Sequence, residues 1–341
     1  MPSSGTPLFP QALKTGDTIG FFSASSPVTA TAPNRFARGK EFLREKGFRL
    51  KAGLLTGESD HYRSGSVARR AEELNQLFRD PQVRCVMSTI GGNNTNSLLP
   101  YLDYDALRAD PKIIIGYSDT TALLAGIYAQ TGLVTFYGPA LVASFGEFPP
   151  LVDETYASFT DVLMNRHDAP YRYTLPSHWT DERLNWNDAT PVRAKHLYAN
   201  ACRFIGKGRI EGRVIGGNLN TLSGIWGSPY LPEIRQGDIL FIEDSLLNIA
   251  TVERSFSMLK LNGVFDRVSA ILLGKHELFD DAGTGGQPVD VLLEILNGQD
   301  IPLVAGFDCC HTHPMLTLPL GVDIAIDFEH QQVHITGQYL S

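Results

Sequence analysis

The segment GYSDT at residues 116–120 places a serine where an apolar strand meets a helix. The strand-like KIII precedes it and the helical TTALLAGIYAQ follows it. Ser118 would present its hydroxyl at the edge of a sheet, beside the free N–H groups and the positive end of the helix. A nucleophile elbow has this arrangement, although Thr120 stands where the G-x-S-x-G pattern has its second glycine. Serine also caps helices, so the pattern alone leaves catalysis and capping open.

A serine nucleophile needs a base, and nine histidines are available for that role. His311 and His313 lie in the segment CCHTHP after a predicted strand, and His276 follows another predicted strand. Five other histidines have no accompanying motif, and we interpret them as surface residues: His61, His167, His196, His330 and His334.

A base in turn needs a carboxylate to orient it, and two carboxylates close the predicted strand DILFI. These are Glu243 and Asp244, although a charged pair there also suits an ordinary turn at a strand end. Another strand ends at Gly91-Gly92, whose N–H groups could hold an oxyanion or bind phosphate weakly. A tight turn explains the glycine pair equally well, and neither the G-x-G-x-x-G nor the P-loop pattern is present.

The sequence gives little support for a metal site or for disulfide bonds. The two histidines of CCHTHP have no second cluster of His, Asp or Glu at ligand spacing, so we predict no metal site. The four cysteines include no C-x-x-C pair, and we interpret them as free thiols in a reducing compartment: Cys85, Cys202, Cys309 and Cys310.

The amino-acid composition limits the class of protein that this chain can be and the kinds of partner that it can bind. The 341 residues are 43% hydrophobic, which excludes an intrinsically disordered chain. With 29 basic and 37 acidic side chains the net charge is −8, which disfavours a nucleic acid polymer as partner but leaves a small nucleotide possible. The sequence has neither a signal-peptide pattern nor an apolar run of membrane-spanning length, so we expect a cytoplasmic protein without membrane partners.

Predicted strands and helices, which must position these groups, alternate over the first 145 residues. Strand patterns at 17–23, 48–53, 83–89, 112–115 and 133–137 are separated by helical patterns at 34–46, 67–78 and 119–131. Such alternation predicts an α/β domain with a parallel, flavodoxin- or Rossmann-like sheet at 1–145, whose sites lie at the carboxyl ends of the strands. Residues 146–209 show little periodicity and are interpreted as a long connecting and substrate loop. Residues 210–341 are richer in strands and predict a smaller mixed or β-barrel-like domain.

Six segments together resemble the LD-carboxypeptidase family of serine peptidases. They run in order along nearly the whole chain: STIGGNNTNSLLPYLDYDAL, DPKIIIGYSDTTAL, TFYGPAL, GRVIGGNLNTL, DILFIEDS and HTHPMLTLPLG. The resemblance implies a triad in which Ser118 is the nucleophile, His311 the base and Glu243 the group that orients the base. It implies oxyanion donors at the backbone N–H groups of Gly92 and Asp119. It also implies a homodimer and a reaction that needs no metal or organic cofactor.

A narrower resemblance concerns the substrate. The stretches SFGEFPPLVDETY, LNWND and ATVERSFSMLKLN resemble family members that give immunity to peptide-nucleotide antibiotics. This implies a peptidyl or aminoacyl nucleotide as the small-molecule substrate. Trp186 and Trp179 are candidates to stack on its base, and Asn220, Lys275 and Glu277 are candidates to contact its ribose, phosphate or ammonium group. Each of these five residues also has a purely structural explanation.

Two other functions stay open from the sequence. One is a murein LD-carboxypeptidase that releases the terminal D-Ala of a tetrapeptide, and the other is a binding protein that holds a nucleotide-like ligand without turnover. Stacking tryptophans favour the nucleotide substrate over murein, and an intact triad disfavours a pure binder. One departure from the family pattern is Cys310, because many members have a glycine before the histidine of this motif.

Overall fold

A computed structural model describes residues 7–165 and 170–341 of the chain. In chain order, the strands are β1 (Thr18–Phe22), β2 (Arg49–Ala52), β3 (Val83–Ser88), β4 (Ile113–Gly116), β5 (Thr135–Tyr137), β6 (Tyr171–Arg172), β7 (His178–Trp179), β8 (Tyr198–Ala199), β9 (Arg203–Ile205), β10 (Arg209–Asn218), β11 (Ile239–Glu243), β12 (Ala270–Gly274), β13 (Leu303–Phe307), β14 (Leu318–Leu320), β15 (Asp323–Asp327) and β16 (Gln332–Ile335).

The helices of the same residues are α1 (Val28–Thr31), α2 (Pro33–Glu45), α3 (Val67–Arg79), α4 (Tyr104–Ala109), α5 (Thr121–Thr131), α6 (Leu151–Leu163), α7 (Leu219–Ser223), α8 (Ile249–Leu261) and α9 (Pro288–Leu296). Two 3-10 helices span Thr95–Tyr101 and Ser118–Thr120. Among the described helices none is both long and apolar enough to cross a membrane.

The first sheet has the strand order β14-β5-β4-β3-β1-β2. Strands β5, β4, β3, β1 and β2 are parallel, whereas β14 pairs antiparallel with β5 at the edge. The parallel part has the order 2-1-3-4-5, which is the flavodoxin-like order of doubly wound folds. The predicted α/β class with a parallel N-terminal sheet is therefore confirmed.

The second sheet is mixed. The sequence predicted a mixed or a β-barrel-like domain for residues 210–341, and the sheet agrees with the first of these alternatives. Its order is β6-β16-β15-β10-β11-β12-β13-β9. The central strands β10, β11, β12 and β13 are parallel, and the flanking pairs are antiparallel. Parallel strands bring their carboxyl ends to one edge of the sheet, where ligands of α/β proteins bind.

The interpretation of residues 146–209 as a loop without periodicity is wrong over α6. Pro150 precedes this 13-residue helix, and its inner face buries Val152, Phe159, Val162 and Leu163. Strands β6 and β9 from the same region join the second sheet. Strand pairing between residues distant in sequence leaves no local pattern, so neither strand was predictable from its own residues.

One apolar core joins the two sheets. Ile115 and Phe136 of the first sheet and Phe241 and Val304 of the second belong to the same cluster of buried side chains. Because such interiors are close-packed, the strand ends of the two sheets are held in a defined relation. Residues that follow β4 can therefore meet residues that follow β11 and β13.

Candidate active site

The nucleophile candidate lies in a strained turn at the carboxyl end of β4. Ser118 has a φ of 61°, a left-handed conformation that is uncommon for residues other than glycine. The 3-10 turn at Ser118–Thr120 leads directly into α5, whose Leu123, Leu124 and Ile127 are fully buried. A packed helix therefore holds the turn, and this is the strand–turn–helix arrangement of a nucleophile elbow.

The two other triad candidates are in direct contact. Glu243 is the last residue of β11, and His311 lies in the loop between β13 and β14. The His311 Nδ1 atom is 2.6 Å from Glu243 Oε2, and both side chains are buried. A carboxylate at Nδ1 leaves the other ring nitrogen, Nε2, free to act as a base.

Burial and charge act in opposite directions on this pair. Burial alone would raise the pKa of Glu243, but His311 and hydrogen bonds from Tyr137 and Asn218 lower it below its ordinary value. Burial alone would lower the pKa of His311, but the Glu243 carboxylate outweighs burial and raises it. The neighbouring Asp244 has a pKa raised to about 7 by burial and by the charge of Glu243. Glu243 is thus the more fully ionised of the two adjacent carboxylic acids near neutral pH.

A tyrosine links the elbow to this pair. The Ser118 N–H donates a hydrogen bond to the Tyr137 hydroxyl at 3.0 Å, and that hydroxyl donates to Glu243 Oε1 at 2.5 Å. Asn218, the last residue of β10, donates to the same carboxylate oxygen at 2.9 Å. Sequence reasoning assigned neither residue a role, although both end strands within the quoted family segments TFYGPAL and GRVIGGNLNTL. Position at the carboxyl end of a strand was the signal that could have found them.

The glycine pair lies against the elbow. A Cβ atom added to Gly91 would lie 2.7 Å from the Ser118 Cβ and 3.0 Å from the Asp119 N, so only glycine fits there. Gly92 has a φ of 150°, and a Cβ there would lie 2.1 Å from Ser25 Oγ. The Asp119 N–H belongs to the first turn of a helix, where backbone donors have no partner within the helix. This close approach brings the backbone of Gly91 against the Ser118 side chain and the Asp119 N–H.

These residues open onto one cavity of about 390 Å³. Its lining includes Gly92, Ser118 and His311 together with three of the predicted substrate residues, Trp186, Asn220 and Glu277. Glu277 is buried and paired with Arg183, whose Nε atom is 2.9 Å from Glu277 Oε1. The structure thus brings residues of both sheets and of the 146–209 region to one site.

Two predicted substrate residues do not line this cavity. Trp179 and Lys275 line a second cavity of about 320 Å³. Lys275 Nζ donates to the Gly306 carbonyl at 2.6 Å and pairs with Asp308. Lys275 directly follows β12, and these two acceptors bind its ammonium group.

His313 lines the catalytic cavity together with His311, whereas the other described histidines and the cysteines do not line it. His276 is half-buried, its Nδ1 donates to the Gly274 carbonyl at 3.3 Å, and it lines the second cavity. The chain holds these other histidines in exposed or half-buried places: His61, His196, His330 and His334. The prediction for His167 lies outside the described residues. All four cysteines are free, as predicted, and no group of three or more metal-ligating side chains occurs within residues 7–165 and 170–341.

Comparison with known proteins gives matches along the whole chain. The microcin C7 self-immunity protein MccF of Escherichia coli is 65% identical over 335 residues, which are 98% of this chain and 97% of that protein. A murein tetrapeptide carboxypeptidase of Pseudomonas aeruginosa is 31% identical over 256 residues, 73% of this chain and 74% of that enzyme. A solved structure of MccF in complex with aspartyl sulfamoyl adenosine has a TM-score of 0.97 and covers 98% of this chain and 100% of its own.

A second MccF structure marks three positions of its active site. It is an active-site mutant in which the serine at position 118, the asparagine at 220 and a lysine at 247 are alanine, and it also matches with a TM-score of 0.97, 65% identity and 98% and 100% coverage of the two chains. This chain has the same residue types at Ser118 and Asn220. At the third number it has Leu247, which lines the cavity described above.

Family models match both halves of the chain. The LD-carboxypeptidase N-terminal domain matches residues 19–138, and the LD-carboxypeptidase C-terminal domain matches residues 211–326. The first range contains the elbow, and the second contains both members of the His–Glu pair. The chain is a hydrolase of the serine-peptidase type and belongs to the LD-carboxypeptidase family.

Proposed function

We propose that this protein is a serine peptidase that hydrolyses the amide-type bond of microcin C-like peptidyl or aminoacyl nucleotides. One observation carries the proposal: the cavity that holds Ser118 and His311 is also lined by Trp186, an aromatic ring able to stack on a nucleobase. The MccF complex with aspartyl sulfamoyl adenosine supports it, since that relative shares 65% of its residues with this chain. A cytoplasmic location and a homodimer stay predictions from the sequence.

The proposed mechanism is acyl transfer through a triad. Ser118 attacks the scissile carbonyl while His311 Nε2 takes the hydroxyl proton, and the Gly92 and Asp119 N–H groups hold the oxyanion. His311 then donates that proton to the leaving nitrogen, and water hydrolyses the acyl-enzyme. Glu243 fixes the imidazole tautomer through Nδ1 and stabilises the imidazolium. Each oxyanion donor is worth about 3 kcal/mol of barrier in other enzymes of this kind.

A side-by-side turnover assay tests the function. Purified protein is incubated with aspartyl sulfamoyl adenosine and with the murein tetrapeptide, and the products are identified by mass spectrometry. We expect free aspartate and sulfamoyl adenosine from the first substrate. Release of D-Ala alone would assign the protein to murein processing, and binding of the first substrate without any product would make it a ligand-binding protein.

The activity of the enzyme is expected to fall as the pH drops through the pKa of His311. The histidine must be neutral to accept the serine proton, and Glu243 raises its pKa above the ordinary value. The value of kcat/KM should therefore rise with pH to a plateau, with a midpoint above that of an unperturbed histidine, about 6.5. A pH–rate profile of kcat/KM measures this midpoint.

Asp244 titrates in the same region, because its pKa is raised to about 7. The variant Asp244→Asn removes that titration and leaves His311 in place. If the profile of Asp244→Asn lost the acid limb, the limb would belong to Asp244 and the assignment to His311 would be wrong.

Leu247 is expected to weaken binding of substrates with an anionic linkage. Where MccF has a lysine in its active site, this chain contributes an apolar side chain to the cavity wall. The variant Leu247→Lys should lower KM for an aspartyl phosphoramidate nucleotide by about fivefold at low salt, the size of a partly exposed charge pair, and leave kcat unchanged. Steady-state kinetics at two ionic strengths measure the effect, which salt should weaken.

A matched control is Leu261→Lys, which adds the same charge at a side chain that is 87% exposed on α8. This control should leave KM unchanged. An equal fall in KM for both variants would show a general effect of net charge and would contradict a specific role for position 247.

A further inference from the structure

A buried carboxylate lies close to the cavity wall that carries Trp186. Glu147 is 3% exposed and is held between two cationic side chains. Its Oε2 atom is 2.9 Å from Arg35 Nη2 and 2.7 Å from Lys195 Nζ. Both cations line the catalytic cavity, and their side chains are 4% and 7% exposed. Glu147 is therefore the shared counter-ion of two cavity residues that come from distant parts of the chain.

Arg35 connects this carboxylate to the tryptophan. Its guanidinium carbon lies 4.4 Å from the centroid of the Trp186 ring, in a cation–π contact. Two hydrogen bonds to backbone carbonyls fix the guanidinium in that position. Its Nε donates to the Val142 carbonyl at 3.0 Å, and its Nη2 donates to the Ala143 carbonyl at 2.6 Å. One face of the indole thus rests on a fixed cation.

The backbone that follows Trp186 is fastened to the same helix. From α2, Asn34 Nδ2 donates to the Asn187 carbonyl at 2.6 Å, and Arg38 Nη1 donates to the Asp188 carbonyl at 3.1 Å. Asn187 Nδ2 in turn donates to the Thr31 carbonyl at 3.1 Å. The loop therefore has a docking surface on α2, and Arg35 is the charged residue of that surface directly beneath the ring.

We propose that Glu147 is a positioning residue that acts through Arg35 and Lys195 to hold Trp186 as a stacking surface for the nucleobase of the substrate. This inference rests on the proposed function, since it assigns the ring a nucleotide ligand. Glu147 itself would touch neither substrate nor reacting atoms. Its role is to neutralise two cations of the cavity that would otherwise repel each other, one of which lies against the indole.

The charge of Glu147 is present across the range of assay pH. Burial alone would raise the pKa of this carboxyl group, but His313, Arg35 and Lys195 lower it to about 2. The variant Glu147→Gln consequently removes one negative charge at every pH used and keeps the size of the side chain. Arg35 and Lys195 then lack a counter-ion, and the support under Trp186 loosens.

The test is ligand binding in the Ser118→Ala background, which separates positioning from chemistry. Calorimetry with aspartyl sulfamoyl adenosine and with AMP measures Kd for the parent, for Glu147→Gln, for Trp186→Ala and for the double variant. We expect Glu147→Gln to raise both Kd values about tenfold, within the range of one lost base–aromatic stack. In the Trp186→Ala background the same change should alter Kd less than twofold, because the ring through which Glu147 acts is gone.

A matched control removes a different buried counter-ion. Asp238 pairs with Arg213 at 2.6 Å and its side chain is 5% exposed, but neither residue lines the cavity. Asp238→Asn should leave Kd unchanged, whatever it does to the melting temperature. If Glu147→Gln fails to fold, Arg35→Lys keeps the positive charge but removes the planar face beneath Trp186, and it should raise Kd by a similar factor.

The outcomes separate the positioning role from the proposed function. Unchanged Kd in Glu147→Gln, or an increase of the same size with and without Trp186, would overturn the role of Glu147 while leaving the nucleotide substrate intact. Failure of the Ser118→Ala parent to bind either nucleotide would overturn the proposed function and this inference together.

Discussion

Replacement of Ser118 by alanine is expected to abolish turnover and to leave ligand binding within about twofold of the parent. Loss of the nucleophile of a serine-peptidase triad lowers kcat by about 10⁶-fold in comparable enzymes. The backbone of the elbow should survive, since the bond from the Ser118 N–H to the Tyr137 hydroxyl does not involve the side chain. Mass-spectrometric detection of aspartate release, together with calorimetric binding of aspartyl sulfamoyl adenosine, measures both quantities.

The matched control is Ser245→Ala, because Ser245 also lines the cavity but has no elbow geometry. It should keep kcat within about tenfold of the parent. Full hydrolysis by Ser118→Ala, or an equal loss in both variants, would show that the nucleophile has been assigned to the wrong residue.

The second large effect is expected for Glu243→Gln. A glutamine amide has roughly the same shape as the carboxylate of Glu243. Its NH₂ group cannot accept a hydrogen bond from the Nδ1–H of His311, so the imidazole adopts the wrong tautomer. We expect kcat to fall about 10⁴-fold with KM little changed, as for the corresponding change in other triads. Steady-state kinetics on aspartyl sulfamoyl adenosine would measure the separate effects on kcat and KM.

A second buried carboxylate serves as the control for Glu243. Glu73 is 1% exposed and accepts hydrogen bonds from the N–H groups of Ser23 and Leu55, away from the cavity. Glu73→Gln should reduce the melting temperature without a comparable loss of kcat. The orienting role of Glu243 would be untenable if its glutamine variant retained more than about a tenth of the parental kcat.

The part of the site that could be predicted is the part whose position local sequence patterns determine. Ser118 follows the apolar run KIII and precedes a helix, and Glu243 closes DILFI, so each could be placed at a strand end from its own neighbours. Residue patterns alone left His311 level with His313 and His276, and only the family resemblance separated them. The contact between His311 and Glu243 spans 68 positions, and no local pattern encodes it.

The part of the site that was not predicted depends on contacts between residues distant in sequence, which determine where each side chain lies. Lys275 directly follows a strand, yet its ammonium group binds Asp308 and the Gly306 carbonyl, and the residue does not line the catalytic cavity. Tyr137 was recognisable as a buried strand residue, but its bonds to Ser118 and Glu243 appear only when the two sheets are packed together. Helix α6 was missed because prolines and polar residues on either side obscured its apolar face.

The edge strand β14 has a consequence for synthesis on the ribosome. It follows the His311 loop, yet it pairs with Tyr137 and Phe136 of the first sheet. A growing chain that has emerged only as far as β5 therefore carries an unpaired, apolar sheet edge, the kind of surface that invites aggregation. The same short strand seals that edge and draws the histidine loop toward the serine. We therefore expect a nascent or truncated protein that lacks β14 to be both inactive and in need of chaperone protection.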